Sequence, residues 1–282
     1  MDKRGRLVEI FHDTQAYYRE NEKLAAAVEA SRMATVLYSA DHYPELPQLE
    51  DDAPAGKVVI SKGKTFETAM RLLDELPGRK VAVLNFASAT NPGGGVKSGS
   101  SAQEECLCRC STLYPTLDRR WLWQQFYDVN RALADNRHTD DCIYSPGIVI
   151  CKSDTAFPER LSEHEWRIVD VITCAAPNLR NEPANWYNPD TGAPLRMDPD
   201  ELYRLHLQRA RHILHIAAAN GVNALVLGAF GCGAFANDPS IVAQAYRDVL
   251  PEYLSRFDRI EFAIYCRDFE TENYSAFKAV LG

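Results

Sequence analysis

Long hydrophobic runs are missing from this chain of 282 residues; none approaches the roughly 20 apolar residues that a membrane span needs. The first residues, MDKRGRLVEIFHD, lack the uninterrupted apolar core of a signal peptide. Basic residues are outnumbered, 31 Lys and Arg against 39 Asp and Glu, for a formal charge of −8 and a pI near 5.4. A surface of that sign disfavours non-specific binding to DNA or RNA. Cysteine is too sparse for a disulfide scaffold, and eight in a chain of this length read as free thiols in a reducing compartment. No internal repeat or low-complexity tract is present. These absences point to a cytoplasmic protein with no membrane partner and no non-specific nucleic-acid binding.

What is present is ordinary globular material, 46% hydrophobic and 25% charged, enough for one large core. Residues 5–33 carry apolar residues at helical spacing and predict one or two helices outside the main sheet. The stretch 41–56, rich in proline and acid, reads as a loop, so residues 1–56 form a helical extension and linker ahead of a domain over 57–282. Short apolar or β-branched runs predict strands at 57–61, 81–84, 147–151, 168–174, 224–227 and 260–265. Helices are expected at 65–76, 121–134, 201–219, 241–254 and 273–281. Strands alternating with helices imply an α/β sheet covered on both faces. Ligands of such sheets sit beyond the strand C-termini.

Two glycine loops begin at such ends. After Val81-Ala82-Val83-Leu84 comes NFASATNPGGGVKSGSSAQEE, in which Gly93, Gly94 and Gly95 precede a helix carrying Gln103, Glu104 and Glu105. Backbone N–H groups at a glycine loop and a helix start suit an anion, and acids there add a proton donor. After the strand 224–227 comes GAFGCGAFANDP, with Gly231, Cys232, Gly233, Ala234 and Phe235. Plainer readings exist. Ser101-x-x-Glu104 has capping-box spacing, Glu105 could be a solvated helix-face acid, and Gln103 could merely support the loop. Phe235 could be a core aromatic. Cys106, Cys108 and Cys110 invite a metal, but on a helix Cys108 points away from the other two, so no metal is expected.

GGG, a seven-residue spacer and then QEE, together with GCGAF after a later strand, is similar to the signature of bacterial-type poly(ADP-ribose) glycohydrolases. The resemblance covers roughly Val58 to Ala279. It implies a macrodomain-like three-layer fold with a mixed central sheet, no cofactor, and ADP-ribose or poly(ADP-ribose) as ligand, with ADP-ribosylated proteins as further partners. It also implies that Glu105 is the catalytic acid/base and that Glu104 holds ribose hydroxyls. Gly93, Gly94, Gly95 and Gln103 would line the substrate, as would Gly231, Cys232, Gly233 and Ala234 around the diphosphate. Phe235 would lie against the distal ribose. Hydrolysis of single ADP-ribose units from a protein or nucleic acid, and ADP-ribose binding without turnover, remain the alternatives. The adenine site would fall near residues 61–66. Trp186 and Tyr187, in a long loop over 177–199, are candidates for a lid or for plain packing.

Overall fold

A computed structural model describes residues 2–49, 53–184, 192–267, 269 and 271–282. The chain opens with helices α1 (Lys3–Glu20) and α2 (Glu22–Ala34). Asn21 joins them: its backbone ends α1, while its side chain accepts from the amides of Lys23 and Leu24. Strand β1 (Val36–Tyr38), β2 (Lys57–Lys62), helix α3 (Thr65–Glu75) and β3 (Val81–Phe86) follow, then α4 (Gln103–Cys110) and α5 (Tyr114–Leu117). A run of α6 (Arg120–Leu122), a π-helical turn at Trp123–Tyr127 and α7 (Asp128–Leu133) occupies the segment predicted as one helix. The remainder is β4 (Cys142–Ile150), β5 (Arg167–Cys174), α8 (Pro199–Ala219), β6 (Ala224–Leu227), α9 (Pro239–Val249), β7 (Arg259–Ile264) and α10 (Glu272–Leu281).

The strands form one seven-stranded sheet in the order β1-β4-β5-β3-β6-β7-β2. Strands β5, β3, β6, β7 and β2 run parallel, and β4 and β1 are antiparallel additions at one side, so the sheet is mixed. Alternation within the central strands sorts their side chains between two cores. Ala82, Leu84, Leu225 and Leu227 face a cluster containing Ile213, Leu214, Ala217, Val242, Tyr246 and Phe277 from α8, α9 and α10. Val81, Val83, Ala224 and Val226 face the other cluster, built from Phe66 and Leu72 of α3, Leu107 and Cys108 of α4, Tyr114 and Phe126. Helix, sheet and helix make three layers.

Three expectations needed correction. Strand β4 starts at Cys142, five residues before its predicted start, because Pro146-Gly147 interrupts the apolar run. The register shifts between Ser145 and Ile148, and Asp170 accepts from the Gly147 amide at 2.9 Å to hold the bulge. Strand β1, three residues long, is too short to show a period. The helix predicted over 241–254 stops at Val249, where Leu250-Pro251 turns the chain into 3₁₀ geometry.

The N-terminal helices pack on the side of the sheet that carries α3 and α4. Thr14 Oγ1 donates to the Arg109 carbonyl at 2.7 Å, and the fully buried Lys152 pairs with Asp13 at 2.6 Å. The Phe11 ring meets Tyr114 edge-on, with centroids 5.0 Å apart. A Cβ on Gly99 would stand 2.4 Å from the Arg4 carbonyl oxygen, so the start of α1 closes directly over the loop that leads into α4.

Candidate active site

The parallel strands β5, β3 and β6 are neighbours, and the loops leaving their C-terminal ends gather at one edge of the sheet, where α/β sheets hold ligands. Gln103, first residue of α4, straps that edge. Its Nε2 donates to the Leu84 carbonyl at 2.7 Å and to Thr65 Oγ1 at 3.1 Å, while its Oε1 accepts from the Phe86 amide at 2.8 Å. The carboxamide is thereby engaged within the protein, bridging β3, α3 and α4. Phe86 and Phe230 then stack at 5.6 Å and tie the end of β3 to the loop after β6.

Glu104 and Glu105 both turn inward and are 2% and 7% exposed. The capping-box alternative for Glu104 does not survive: the cap position of α4 is Ala102, with no side-chain cap bond, and Glu104 reaches the opposite loop. Its Oε2 accepts from the Ser88 amide at 2.7 Å. Its Oε1 accepts from the Gly93 amide at 3.2 Å and from Asn85 Nδ2 at 3.3 Å. Glu105 Oε1 accepts from the Gly95 amide at 2.9 Å, while its Oε2 is buried with no partner. The Gly94 amide donates to the Asn91 carbonyl at 3.0 Å. In this structure the amides of Gly93 and Gly95 hold the two carboxyls themselves.

Glycine is required at this loop. Gly93 and Gly94 have φ of 69° and 53°, left-handed values that other residues rarely adopt. A Cβ on Gly94 would lie 2.6 Å from Glu105 Oε1 and 3.1 Å from Glu104 Oε2, and one on Gly93 would enter the Tyr114 ring at 2.8 Å. Arg131 of α7 clamps the same loop from outside, donating to the Thr90 carbonyl at 2.9 Å and to Asn91 Oδ1 at 2.6 Å.

Burial, and beyond it the charge on neighbouring Glu105, pushes Glu104 up to about 8, against the three N–H donors that favour its ionised form. Glu104 therefore holds its proton at neutral pH. The sign of the stability effect follows. Unfolded, Glu104 loses its proton near the ordinary 4.5; folded, it holds on to about 8, so the native state binds more protons between those values and loses stability as pH rises through that window. Glu104→Gln should remove this slope. Urea unfolding at pH 5 and pH 8 should show wild type declining more than the variant by at least about 1 kcal/mol, and parallel declines would mean that Glu104 ionises as an exposed acid does.

The second loop is organised by Asn237, almost fully buried. Its Nδ2 contacts the carbonyls of Pro177, Gly231 and Phe235, and its Oδ1 meets His206 Nε2 at 2.7 Å. Among the described residues, the amides of Gly231, Gly233, Ala234 and Phe235 meet no acceptor. This free set of N–H groups suits a diphosphate. Phe235 is half-buried at the rim, with His138 5.9 Å from its ring centroid and the Arg180 guanidinium also at 5.9 Å. Cys232 is not an activated thiol, because burial pushes its pKa up.

Asn85, Ser88, Arg131, His138 and Asn237 escaped sequence reasoning as site residues. Asn85 and Ser88 stand inside the conspicuous loop, and their alignment with Glu104 depends on a helix that begins 15 or more residues later. All eight cysteines are free thiols; Cys108 and Cys110 lie in the core with their thiol pKa values pushed up by burial. Among the described residues no group of three or more His, Cys, Asp or Glu could hold a metal ion. No described helix is long and apolar enough to cross a membrane. Phe66, in the stretch suggested for adenine, is fully buried in the core. Trp186 and Tyr187 lie outside the described residues.

Residues 7–153 match the model of the microbial-type PARG catalytic domain, PARG being poly(ADP-ribose) glycohydrolase. Among solved structures, the poly(ADP-ribose) glycohydrolase of Thermomonospora curvata is 28% identical, covers 99% of this chain and 100% of its own, and superposes with a TM-score of 0.81. The same enzyme bound to the inhibitor ADP-HPD is matched at 30% identity over 98% of this chain and 99% of that one, with a TM-score of 0.79. The Deinococcus radiodurans enzyme in complex with ADP-ribose is 32% identical over 90% of this chain and 96% of its own, with a TM-score of 0.73. No curated protein matches the chain at a significant level.

Proposed function

The chain belongs to the microbial-type poly(ADP-ribose) glycohydrolases, and from that membership we propose how its own residues carry out the reaction. The protein is a glycosidase that hydrolyses ribose–ribose O-glycosidic bonds in poly(ADP-ribose) and releases ADP-ribose. The relatives' complexes with ADP-ribose and ADP-HPD make one ADP-ribose unit the ligand expected here. Recognition of one unit by backbone dipoles accommodates a polyanion on a chain of charge −8.

One observation carries the assignment of roles: Glu105 Oε2 is buried and unpartnered beside a Glu104 whose two oxygens are held by three donors. A buried polar atom without a partner is costly unless a ligand completes it. The leaving ribose oxygen is that partner. Glu105 delivers a proton from Oε2 to the leaving ribose oxygen as the glycosidic bond breaks, and the resulting carboxylate then takes a proton from the attacking water. Glu104, fixed by Ser88, Gly93 and Asn85, holds a ribose hydroxyl and helps orient the scissile bond. Gly231, Gly233 and Ala234 hold the diphosphate through their amides, and Phe235 lies against the distal ribose. Gly93 and Gly95 hold the carboxyls through their amides, Gly94 leaves them room, and Gln103 keeps α4 seated on β3.

Residues 1–56 act as a buttress to the catalytic domain over 57–282, through Phe11 on Tyr114 and Thr14 on the end of α4. Eight free thiols fit a cytoplasmic protein, and ADP-ribosylated proteins fit the same pocket as carriers of the polymer. The direct test is release of free ADP-ribose from purified poly(ADP-ribose), with a mono-ADP-ribosylated protein as the parallel substrate. Turnover of the polymer at least tenfold faster than of the single unit is expected; cleavage of the single unit alone would overturn the polymer assignment.

A further inference from the structure

His138 lies on the segment that connects the two glycine loops. The segment that begins at Arg131, which grips the first loop, ends at His138, which touches Phe235 of the second. Its backbone has φ of 59°, a left-handed conformation that costs energy in any residue bearing a Cβ. That conformation is held by Arg209, fully buried, which donates to the carbonyls of Arg137 at 3.1 Å, His138 at 3.3 Å and Ala175 at 2.6 Å, and to Asp140 Oδ1 at 2.6 Å. A buried arginine fixing one strained loop position is an arrangement for placing the side chain there.

The ring's chemistry is fixed too. His138 Nδ1 lies 2.7 Å from the Ala176 carbonyl, which can only accept, so Nδ1 carries the hydrogen. Burial, reinforced by the Arg209 charge, outweighs that carbonyl and holds the imidazole at about 4, hence neutral at physiological pH. Nε2 is then a bare lone pair with no partner among the described residues. The ring packs against Phe235, on the loop whose four amides meet no acceptor, yet the lone pair repels anionic oxygen and accepts only from a donor.

We propose that His138 Nε2 accepts a hydrogen bond from a hydroxyl of the distal ribose, fixing how far along the second loop the diphosphate can slide. The assignment rests on the reading above that Phe235 lies against that ribose. A phosphate oxygen pushed one position further would face the lone pair, whereas a ribose hydroxyl there is bonded. His138 is in these terms a binding residue that sets the register of the substrate relative to Glu105.

The test is His138→Asn, which tolerates a left-handed backbone and can still donate to the Ala176 carbonyl but has nothing at the Nε2 position. Calorimetric titration should show ADP-ribose bound about three- to tenfold more weakly than by wild type, with ADP, which lacks the distal ribose, unchanged. Undiminished ADP-ribose affinity would overturn the proposal. Equal weakening of both ligands would also overturn it, by making His138 a support for the loop. In wild type labelled with ¹⁵N-histidine, the Nε2 resonance of His138 should move upfield on addition of ADP-ribose and not of ADP. That measurement decides the matter even if the variant fails to fold, and an unmoved resonance refutes the bond. Wild type that binds ADP-ribose no more tightly than ADP would overturn the reading of Phe235 first, a failure distinct from the loss of this one contact.

Discussion

Glu105→Gln should lower the rate of ADP-ribose release from the polymer by about 10³-fold while leaving ADP-ribose affinity within about threefold of wild type, a margin smaller than one hydrogen bond. The substitution is nearly isosteric, and the Gly95 amide decides how the new side chain sits. That N–H donates only to an acceptor, so Gln Oε1 takes the place of the bonded carboxylate oxygen, and the amide nitrogen falls where the unpartnered Oε2 was. Shape is retained at the atom proposed to deliver a proton, and the proton is gone. Quenched-flow or chromatographic assay of released ADP-ribose, with calorimetry in parallel, separates the two effects. A variant with more than a tenth of wild-type turnover would remove Glu105 from the chemistry. One that loses binding in step with turnover would make it a ribose-holding group. Glu104→Gln is the less clean change, because both oxygens of Glu104 accept from N–H groups and a carboxamide must turn its own NH₂ towards one of them.

Gly94→Ala is expected to cost at least a hundredfold in turnover, an effect of the kind produced when a catalytic group is displaced by about 1 Å. Two penalties act at that position. The left-handed backbone, φ 53°, disfavours any Cβ by about 1–2 kcal/mol. The added methyl would also lie 2.6 Å from Glu105 Oε1 and 3.1 Å from Glu104 Oε2, so both carboxyls must move. Gly221→Ala separates the two. Gly221 has φ of 67°, but a Cβ there meets nothing within 4 Å, so the variant carries the backbone cost without the contact. Gly94→Ala, which carries both penalties, should lose more stability in thermal unfolding than Gly221→Ala, and only Gly94→Ala should lose activity. Equal activity in the two would show that the glycine serves the turn alone.

Legibility differed from element to element for physical reasons. Strands β3 and β6 are uninterrupted apolar runs between punctuating residues, and their burial on both faces makes them visible without any partner. Strand β4 was only half visible because Pro146-Gly147 divides it, and its first half is specified by pairing with β5. The carboxyl pair was legible as chemistry, yet the spacing of Ser101 and Glu104 suggested a helix cap. Whether an acid in a first turn folds back on its own helix or reaches across depends on what stands opposite, here the amides of Ser88 and Gly93. Arg131 and His138 carried no local signal at all. A lone arginine or histidine on a polar segment becomes a site residue only once tertiary structure brings a loop beneath it.

The order of strands in the sheet has a consequence for how the protein is born. Strand β2, residues 57–62, has a single neighbour, β7, residues 259–264, and β3 lies between β5 and β6, the second of which ends at residue 227. The segments that emerge first from the ribosome thus wait for partners made roughly 90 to 200 residues later. The N-terminal helices share the delay, since Thr14 and Asp13 dock on residues 109 and 152. Non-local pairing of this kind slows folding and leaves apolar strands uncovered meanwhile. Glu104, whose proton depends on burial, remains an ordinary solvated acid until the sheet has closed beneath it. The nascent chain therefore has no hydrolytic competence before about four-fifths of it has been made, and a ribosome stalled short of residue 227 carries an inert polypeptide.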